Sequence, residues 1–160
     1  MQIYFGLGSN LGDRLKNLRD ALEKIKSLGK ITSVSRIYET KAWGGVVQPD
    51  FLNACAKVER ENFIEPLEIL RAVKNFEIDL GREESVRWGP RKIDIDILLI
   101  DDIVYKSSVL NVPHISLPER LFVLVPLKDI LPSAWRHPEN KKTLQEMIEA
   151  LPPEDVIQKL

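Results

Sequence analysis

The sequence contains little that would mark a secreted, membrane or nucleic-acid-binding protein. It has one cysteine, Cys55, which cannot form an internal disulfide bond, and no charged segment followed by an apolar stretch opens the chain. No apolar run approaches the roughly 20 residues that a membrane-spanning helix needs. A formal net charge of −1 gives no basic excess for general binding to nucleic acid or to a membrane surface. We therefore expect a cytoplasmic protein with neither partner, in which any anion site is local.

The composition is that of an ordinary globular protein. Hydrophobic residues make up 44% of the 160 residues and charged residues 29%, and no repeat or low-complexity tract is present. A chain of 18.3 kDa can bury a full core but is short for two domains. We expect a single domain over residues 1–160, acting as a monomer.

Residues 87–99, RWGPRKIDIDILL, are the most informative stretch of the chain. Because side chains alternate along a strand, Asp94 and Asp96 should project from the same face. The opposite face would carry Ile93, Ile95, Ile97 and Leu99. Adjacent carboxylates repel each other and are costly to bury alone, so they require cations. These could be the nearby Arg87, Arg91 and Lys92 or a divalent metal such as Mg²⁺, and the pattern alone leaves a salt-bridged edge strand and a metal site equally open.

Hydrophobic periodicity and turn residues predict the order strand, helix, strand, strand, helix, strand. The predicted strands cover residues 2–7, 30–40, 51–59 and the aspartate stretch, followed by a short strand at 103–105. The predicted helices run from Leu11 toward Gly29, from Pro66 to Leu80, and near 143–151. This order is typical of an α+β, ferredoxin-like split βαβ fold, with an antiparallel sheet, helices on one face and a C-terminal extension. The other face, left open, would present the aspartates, Phe51 and Asn53.

Three further features have a structural interpretation. Gly6, Gly8 and Gly12 have the spacing GxGxxxG rather than that of a dinucleotide-binding loop, which favours a tight strand-to-helix turn. The loop KAWGGVVQPD at 41–50 carries apolar side chains that a solvent loop has little reason to hold unless it closes onto something. His137 stands apart from the other candidate residues, and we expect it at the surface.

Taken in order, these segments resemble the hydroxymethyldihydropterin pyrophosphokinase family of folate biosynthesis. The motifs are GLGSNLGDR at 6–14, FLN at 51–53, LGR at 80–82, RWGPRKIDIDILL at 87–99, VPH at 112–114, and Arg120 with FVLVPL at 122–127. The resemblance covers nearly the whole chain, and the ordered WGPR-x-x-DxD-I-L block is highly specific. It implies an enzyme that transfers the pyrophosphoryl group of the co-substrate ATP to the hydroxymethyl oxygen of a reduced pterin and releases AMP.

The resemblance also implies roles for individual residues. The catalytic residues would be Arg82, Arg91, Asp94 and Asp96, with the two aspartates as ligands of two Mg²⁺ ions. The ATP-binding residues would be Glu77, Arg87, Trp88, Ile97, Asn111, His114 and Arg120. The pterin-binding residues would be Thr40, Trp43, Phe51, Asn53, Asp94 and Phe122. Physical chemistry agrees, because metals and arginine forks neutralise phosphate charge and aromatic rings stack on a pterin.

The sequence departs from the family pattern at three positions. Glu84, beside Glu83, stands where a second loop arginine is usual, Lys41 where proline is common, and Ile115 where an aromatic residue is common. The first change inverts the local charge next to the expected phosphate site.

Two other classes of function are less well supported. A nucleotidyltransferase would share the GS and DxD elements, but there they lie close together on one hairpin, whereas Ser9 and Asp94 are 85 residues apart. A ferredoxin-like RNA-binding module would need basic residues beside exposed aromatics on its open face, and the near-neutral charge and the aspartate pair argue against it.

Overall fold

The computed structural model describes residues 1–42, 45, 47–83 and 89–160. The strands are β1 (Gln2–Ser9), β2 (Lys30–Val34), β3 (Tyr38–Thr40), β4 (Phe51–Glu59), β5 (Asp94–Ile100), β6 (Tyr105–Lys106), β7 (Asn111–Val112) and β8 (Val156–Gln158). The helices are α1 (Arg14–Ile25), α2 (Pro66–Asp79), α3 (Leu121–Lys128) and α4 (Leu144–Glu149), with short 3₁₀ turns at Lys26–Leu28 and Leu117–Glu119. No helix in these described ranges has the length and apolar character needed to cross a membrane.

An antiparallel sheet of six strands forms the centre of the molecule. Its order is β5-β1-β4-β3-β8, and β2 also pairs with β4. Gly8 of β1 pairs with Asn53 on one side and Asp94 on the other, while Gly6 pairs with Cys55 and Asp96. Both aspartates therefore lie beside a glycine of β1, which leaves space next to their carboxylates.

Helices α1 and α2 cover one face of the sheet. The Asp13 carboxylate caps α1 by accepting the Lys16 N–H at 3.0 Å, and Pro66 is the first residue of α2. The helix therefore starts after Leu11, which is 40% exposed, rather than at it. The helical residues buried against the sheet are Leu18, Ala21, Ile25, Ile69 and Val73. This arrangement confirms the predicted α+β, ferredoxin-like fold.

The C-terminal extension packs on the opposite face, which the sequence had led us to expect to be open. Side chains of β1, β4 and β5 form a second apolar cluster there with α3 and α4. The cluster includes Tyr4, Cys55, Leu98, Leu99, Leu117, Val123, Leu124, Leu127, Leu144 and Met147. The extension thus closes part of this face, and the remainder forms the wall of a pocket.

The predicted facing of Leu99 was wrong, because β5 contains a bulge. Tyr4 pairs with Leu99 but Phe5 pairs with Ile97, so the register shifts at Leu98. The extra residue ends the alternation. Ile95 and Ile97 consequently lie in the first core, whereas Leu99 lies in the second cluster.

Several local predictions were also wrong. The strand expected at 30–40 is divided into β2 and β3, the strand expected at 103–105 begins at Tyr105, and α3 and β8 were not predicted. His137 is 3% exposed rather than on the surface. Its Nδ1 accepts the backbone N–H groups of Glu139 and Asn140 at 3.2 and 3.4 Å, and its ring packs edge-on against Trp135. Burial lowers the pKa of His137.

Candidate active site

A pocket of about 310 Å³ lies on the partly covered face of the sheet. It is lined by Gly6, Leu7, Gly8, Thr40, Lys41, Phe51, Asn53, Ala54, Cys55, Gly89, Arg91, Asp94, Asp96, His114, Arg120, Phe122 and Val123. Strands β1, β4 and β5 form its base, and the C-terminal extension supplies His114, Arg120 and Phe122 as one wall. The volume is at the lower end of the range for small-molecule sites.

Asp94 lies between two arginines. Its Oδ1 is 3.0 Å from Arg82 Nη1 and 3.3 Å from Arg91 Nη1. All three side chains are partly exposed, so a ligand can reach both the carboxylate and the guanidinium groups. Two guanidinium groups thus lie beside one carboxylate. Because a guanidinium can bind phosphate oxygens as well as a carboxylate, these arginines could also pair with a bound phosphate.

Asp96 has less compensating charge. Its Oδ2 is 3.8 Å from Arg120 Nη1, which is beyond hydrogen-bond distance. Burial, followed by the neighbouring Asp94 carboxylate, raises the pKa of Asp96 to about 7. A cation placed at this pair would stabilise the ionised form.

Glu77 fixes this part of the site from the opposite side of β5. It is 2% exposed, and its Oε1 accepts the Ile95 N–H at 2.8 Å. Its Oε2 forms ion pairs with Arg82 and, at 3.2 Å, with Lys74. One buried carboxylate thus holds both the strand that carries the aspartates and one of their arginines.

Aromatic and amide groups line another part of the pocket. Asn53 is 5% exposed and donates from Nδ2 to Thr40 Oγ1 at 2.8 Å, which orients the amide. A Cβ on Gly8 would lie 3.3 Å from Asn53 Oδ1 and 3.6 Å from the ring of Phe51. The bare backbone at Gly8 therefore leaves open the space in front of these two side chains.

His114 and Arg120 stand together on the wall that the extension provides. Burial and the Arg120 charge lower the pKa of His114 to about 4, so the ring is neutral near pH 7. Its Nδ1 accepts the Ser116 N–H at 3.2 Å, which leaves the proton on Nε2. His114 can therefore donate a hydrogen bond but is a poor proton acceptor. The Arg120 guanidinium lies 5.6 Å from the centre of the Phe122 ring.

The structure brings most of the predicted residues to this pocket. Those that line it are Thr40, Phe51, Asn53, Arg91, Asp94, Asp96, His114, Arg120 and Phe122. Arg82 and Glu77 reach it through Asp94 and β5. Ile97 is 3% exposed in the first core, and Asn111 lies on β7, outside the lining. Trp43, Arg87 and Trp88 lie outside the described residues, as does Glu84.

The sequence did not lead us to predict that two glycines of β1 line the pocket. Gly8 was expected in the turn after the first strand and Gly6 inside that strand, but neither was expected at a ligand site; both lie within β1 and line the cavity. Glycine inside a strand marks a place where a ligand or another chain can approach closely, and that signal was present in the sequence. Lys41, noted only as a departure from the family, also lines the pocket.

The aspartate pair is chemically suited to Mg²⁺. Carboxylate oxygens are hard ligands, and Mg²⁺ is usually held by one or two of them together with substrate phosphates and water. Among the residues that the structure describes, no group of three or more His, Cys, Asp or Glu side chains could hold a metal.

Comparison with known proteins supports the resemblance that the sequence predicts. The family model described as 7,8-dihydro-6-hydroxymethylpterin-pyrophosphokinase matches residues 4–132. A 2-amino-4-hydroxy-6-hydroxymethyldihydropteridine pyrophosphokinase of Aquifex aeolicus is 43% identical over 144 residues, which are 90% of this chain and 88% of that protein. The Bacillus subtilis protein of the same name is 41% identical over 145 residues, covering 89% and 86%.

A solved structure supports the fold independently. A crystal structure of Plasmodium falciparum HPPK-DHPS superimposes with a TM-score of 0.74 at 16% identity, covering 93% of this chain and 45% of that one. The resemblance predicted from the sequence is thereby confirmed: the chain belongs to the 7,8-dihydro-6-hydroxymethylpterin-pyrophosphokinase family.

Proposed function

We propose that this protein transfers the pyrophosphoryl group of ATP to the hydroxymethyl oxygen of 6-hydroxymethyl-7,8-dihydropterin, in folate biosynthesis. The hydroxymethyl oxygen attacks the β-phosphorus of ATP, the bond from that phosphorus to the α-phosphate bridging oxygen breaks, and AMP leaves while the hydroxyl proton is lost. The family match and the names of the relatives support this reaction. The observation that carries it is the pocket, in which an aspartate pair with arginines faces a wall of aromatic and amide side chains.

The aspartate and arginine side of the pocket is suited to the phosphates. Asp94 and Asp96 would hold two Mg²⁺ ions, which would supply positive charge to neutralise the phosphates. Arg82 and Arg91 form ion pairs with Asp94 in the structure. If a metal bound the Asp94 carboxylate, their guanidinium groups would be available to donate hydrogen bonds to phosphate oxygens. The arginines then stabilise the charge that develops on the leaving AMP.

The part of the pocket around Phe51 and Asn53 is suited to the pterin. Phe51, together with Phe122 from the wall that the extension supplies, offers a ring face for offset stacking on a flat heterocycle. Asn53, oriented by Thr40, presents an amide to the polar edge of the ring, and Gly8 provides the space for it. Trp43 belongs to this group by sequence prediction.

The nucleotide is assigned to the wall formed by the extension. His114, neutral with a proton on Nε2, and Arg120 can each donate hydrogen bonds there. Glu77, Ile97 and Asn111 do not line the pocket and belong to the ATP-binding set by sequence prediction, as do Arg87 and Trp88. We further propose that residues 1–160 form one domain and that the protein works as a monomer. We also propose a cytoplasmic location, which the free and buried Cys55 favours.

One product assay, applied to the wild type and to two variants, tests both the reaction and the role of the aspartate pair. The purified protein is incubated with ATP, Mg²⁺ and 6-hydroxymethyl-7,8-dihydropterin, and AMP and the pterin diphosphate are quantified. We expect equimolar products, and none without pterin or Mg²⁺. Asp96→Ala should abolish turnover while Asp102→Ala, which changes an exposed aspartate after the same strand, should not. Absence of AMP above the pterin-free control would refute the proposed function.

A further inference from the structure

The last strand, β8, lies at one edge of the sheet that the described residues form and runs antiparallel to β3. The pairing continues beyond β8. The Lys159 N–H donates to Ile37 O at 2.8 Å, and the Ile37 N–H donates to Leu160 O at 2.7 Å. Residues 156–160 therefore follow the whole length of β3, which itself has only three residues.

Strand β3 connects this edge of the sheet to the pocket through Thr40. It lies between β8 and β4, so Thr40 is opposite Val156 on one side and opposite Phe51 on the other. Thr40 is 8% exposed, and its Oγ1 accepts the Asn53 amide at 2.8 Å. A three-residue strand that lost one neighbour would present unpaired backbone groups to solvent and would open more easily. The orientation of the Asn53 amide therefore depends on the pairing of β3 with β8.

Glu39, on the other face of β3, makes a second set of contacts that leads to the same place. Its Oε1 is 3.1 Å from Lys159 Nζ, and its Oε2 is 2.8 Å from Arg14 Nη2. Arg14 Nη1 in turn donates to Asp50 O at 2.8 Å, directly before Phe51. Ion pairs with exposed partners contribute little by themselves. The backbone pairing is thus the main connection from β8 to the pocket.

We propose that β8 is a positioning strand for pterin binding: by pairing with β3 it holds Thr40, and through Thr40 it holds the Asn53 amide in the orientation that binds the polar edge of the pterin. Among the described residues that line the pocket, none belongs to 156–160. The inference rests on the proposed function, which places the pterin beside Asn53. It predicts an effect on the pterin and not on the nucleotide, because β5, which carries the aspartates, lies at the opposite end of the strand order.

Proline substitutions can separate the pairing of β8 from its other properties. The Lys159 N–H points to β3, and N–H groups alternate in direction along a strand, so that of Ile157 points to β3 and that of Gln158 points away. Ile157→Pro removes a donor on the paired side. Gln158→Pro, its matched control, removes one on the free edge, where proline is tolerated. Both side chains are exposed, so neither change removes a core contact.

Calorimetry measures the effect on each ligand. It gives the Kd of 6-hydroxymethylpterin at saturating Mg²⁺ and non-hydrolysable ATP analogue, and the Kd of the analogue alone. In Ile157→Pro the pterin Kd should rise by about fivefold or more, the effect of about one hydrogen bond, while the Kd of the analogue stays within about twofold. Gln158→Pro should leave both Kd values within about twofold of the wild type. Amide hydrogen exchange at residues 38–40 should be faster in Ile157→Pro only.

A double variant tests whether β8 acts through Thr40. Thr40→Val removes the hydroxyl that accepts the Asn53 amide and should itself weaken pterin binding by about fivefold or more, whereas Thr40→Ser keeps the hydroxyl and should stay within about threefold of the wild type. Adding Ile157→Pro to Thr40→Val should weaken pterin binding by less than about twofold further, because the bond that it disturbs is already absent.

A second proline variant replaces Ile157→Pro in both experiments if that protein fails to fold. Lys159→Pro removes the hydrogen bond to Ile37 O at the end of the pairing, and Lys159→Ala is its control, because it removes only the charge that faces Glu39. We expect the same loss of pterin affinity in Lys159→Pro and a Kd within about twofold of the wild type in Lys159→Ala.

Four results would overturn the inference. These are a wild-type pterin affinity in the proline variant, equal weakening of both ligands, the same effect in its control variant, and additive effects of Thr40→Val and the proline substitution. Each of them leaves the proposed function standing. A wild-type protein that binds the nucleotide analogue but binds no pterin and forms no AMP would instead overturn the proposed function, and the inference with it.

Discussion

The buried carboxylate of Glu77 on α2 accepts the backbone N–H of Ile95 at 2.8 Å, and Ile95 is the residue between Asp94 and Asp96. The contact fixes the strand at the point where both carboxylates project into the pocket. Because the other oxygen of Glu77 pairs with Arg82, one side chain positions the aspartates and an arginine relative to each other. The rigidity of the site therefore comes from a residue outside the cavity lining.

Two substitutions of Glu77 should distinguish how much its hydrogen bond to Ile95 and its ion pair with Arg82 each contribute to stability. Glu77→Gln keeps a carbonyl acceptor for Ile95 and loses the charge facing Arg82, so we expect a loss in the free energy of unfolding of about 1 kcal/mol. Glu77→Leu also leaves the Ile95 N–H and Arg82 without this partner and should cost about 3 kcal/mol. Urea unfolding measures both. Glu68→Leu, at an exposed site on the same helix, is the control, and equal losses for Glu77→Leu and Glu68→Leu would contradict the anchoring role.

Asp96 should make the stability of the metal-free protein depend on pH. Its pKa is raised to about 7 in the folded state, above the roughly 3.9 of an unfolded chain, so the folded state binds the proton more tightly. Stability should therefore fall as the pH rises from about 4 to about 7. At pH about 8, metal-free Asp96→Asn should be more stable than the wild type by on the order of 2 kcal/mol.

Magnesium should reverse this effect. A metal competes with the proton for Asp96, so Mg²⁺ should raise the unfolding midpoint of the wild type more at pH about 8 than at pH about 5.5, and should do little for Asp96→Asn. Thermal and urea unfolding with and without Mg²⁺ test this. Asp102→Asn should behave as the wild type. If metal-free wild type and Asp96→Asn unfold alike at the higher pH, the pKa of Asp96 is not raised in the folded protein.

Strand and helix positions with a regular pattern could be predicted from the sequence. β4 begins at Phe51 and ends at Glu59 as predicted, and α2 begins at Pro66. Helix α3 was missed because Leu121–Lys128 is apolar on nearly all sides and contains Pro126, so it has no polar face from which a helical period can be recognised. The facing of Leu99 was wrong because a bulge depends on the neighbouring strand.

The site was predictable to the extent that its residues share a local pattern. Asp94 and Asp96 were expected on one face because they alternate along a strand, and the pocket contains both. Glu77 acts through a backbone group far away in the chain, that of Ile95, and no local pattern encodes such a partner. The family resemblance pointed to Glu77, but the bond to Ile95 required the structure.

Arg82 should affect turnover more than substrate binding. Without ligands its guanidinium is already paired with Asp94 at 3.0 Å and with Glu77, so it gives little additional ground-state attraction to a phosphate. Under the proposed function, its full contribution would come as charge develops on the leaving group. We expect Arg82→Ala to lower kcat by about 10²- to 10³-fold with KM values within a few fold. Arg19→Ala, an exposed arginine on α1, is the control, and a normal kcat in Arg82→Ala would refute this role.

A methyl group at Gly8 should act on the pterin wall alone. A Cβ there would lie 3.3 Å from Asn53 Oδ1, which is tighter than most such contacts, and 3.6 Å from the Phe51 ring, which is an ordinary van der Waals distance. It would occupy the space assigned to the pterin ring. We expect Gly8→Ala to weaken binding of 6-hydroxymethylpterin by about tenfold or more, the effect of roughly 1.4 kcal/mol, with the Kd of the ATP analogue unchanged. Calorimetry of each ligand alone measures this. Equal weakening of both ligands would mean that Gly8 supports the whole sheet rather than the pterin wall, and unchanged pterin affinity would place the ring elsewhere in the pocket.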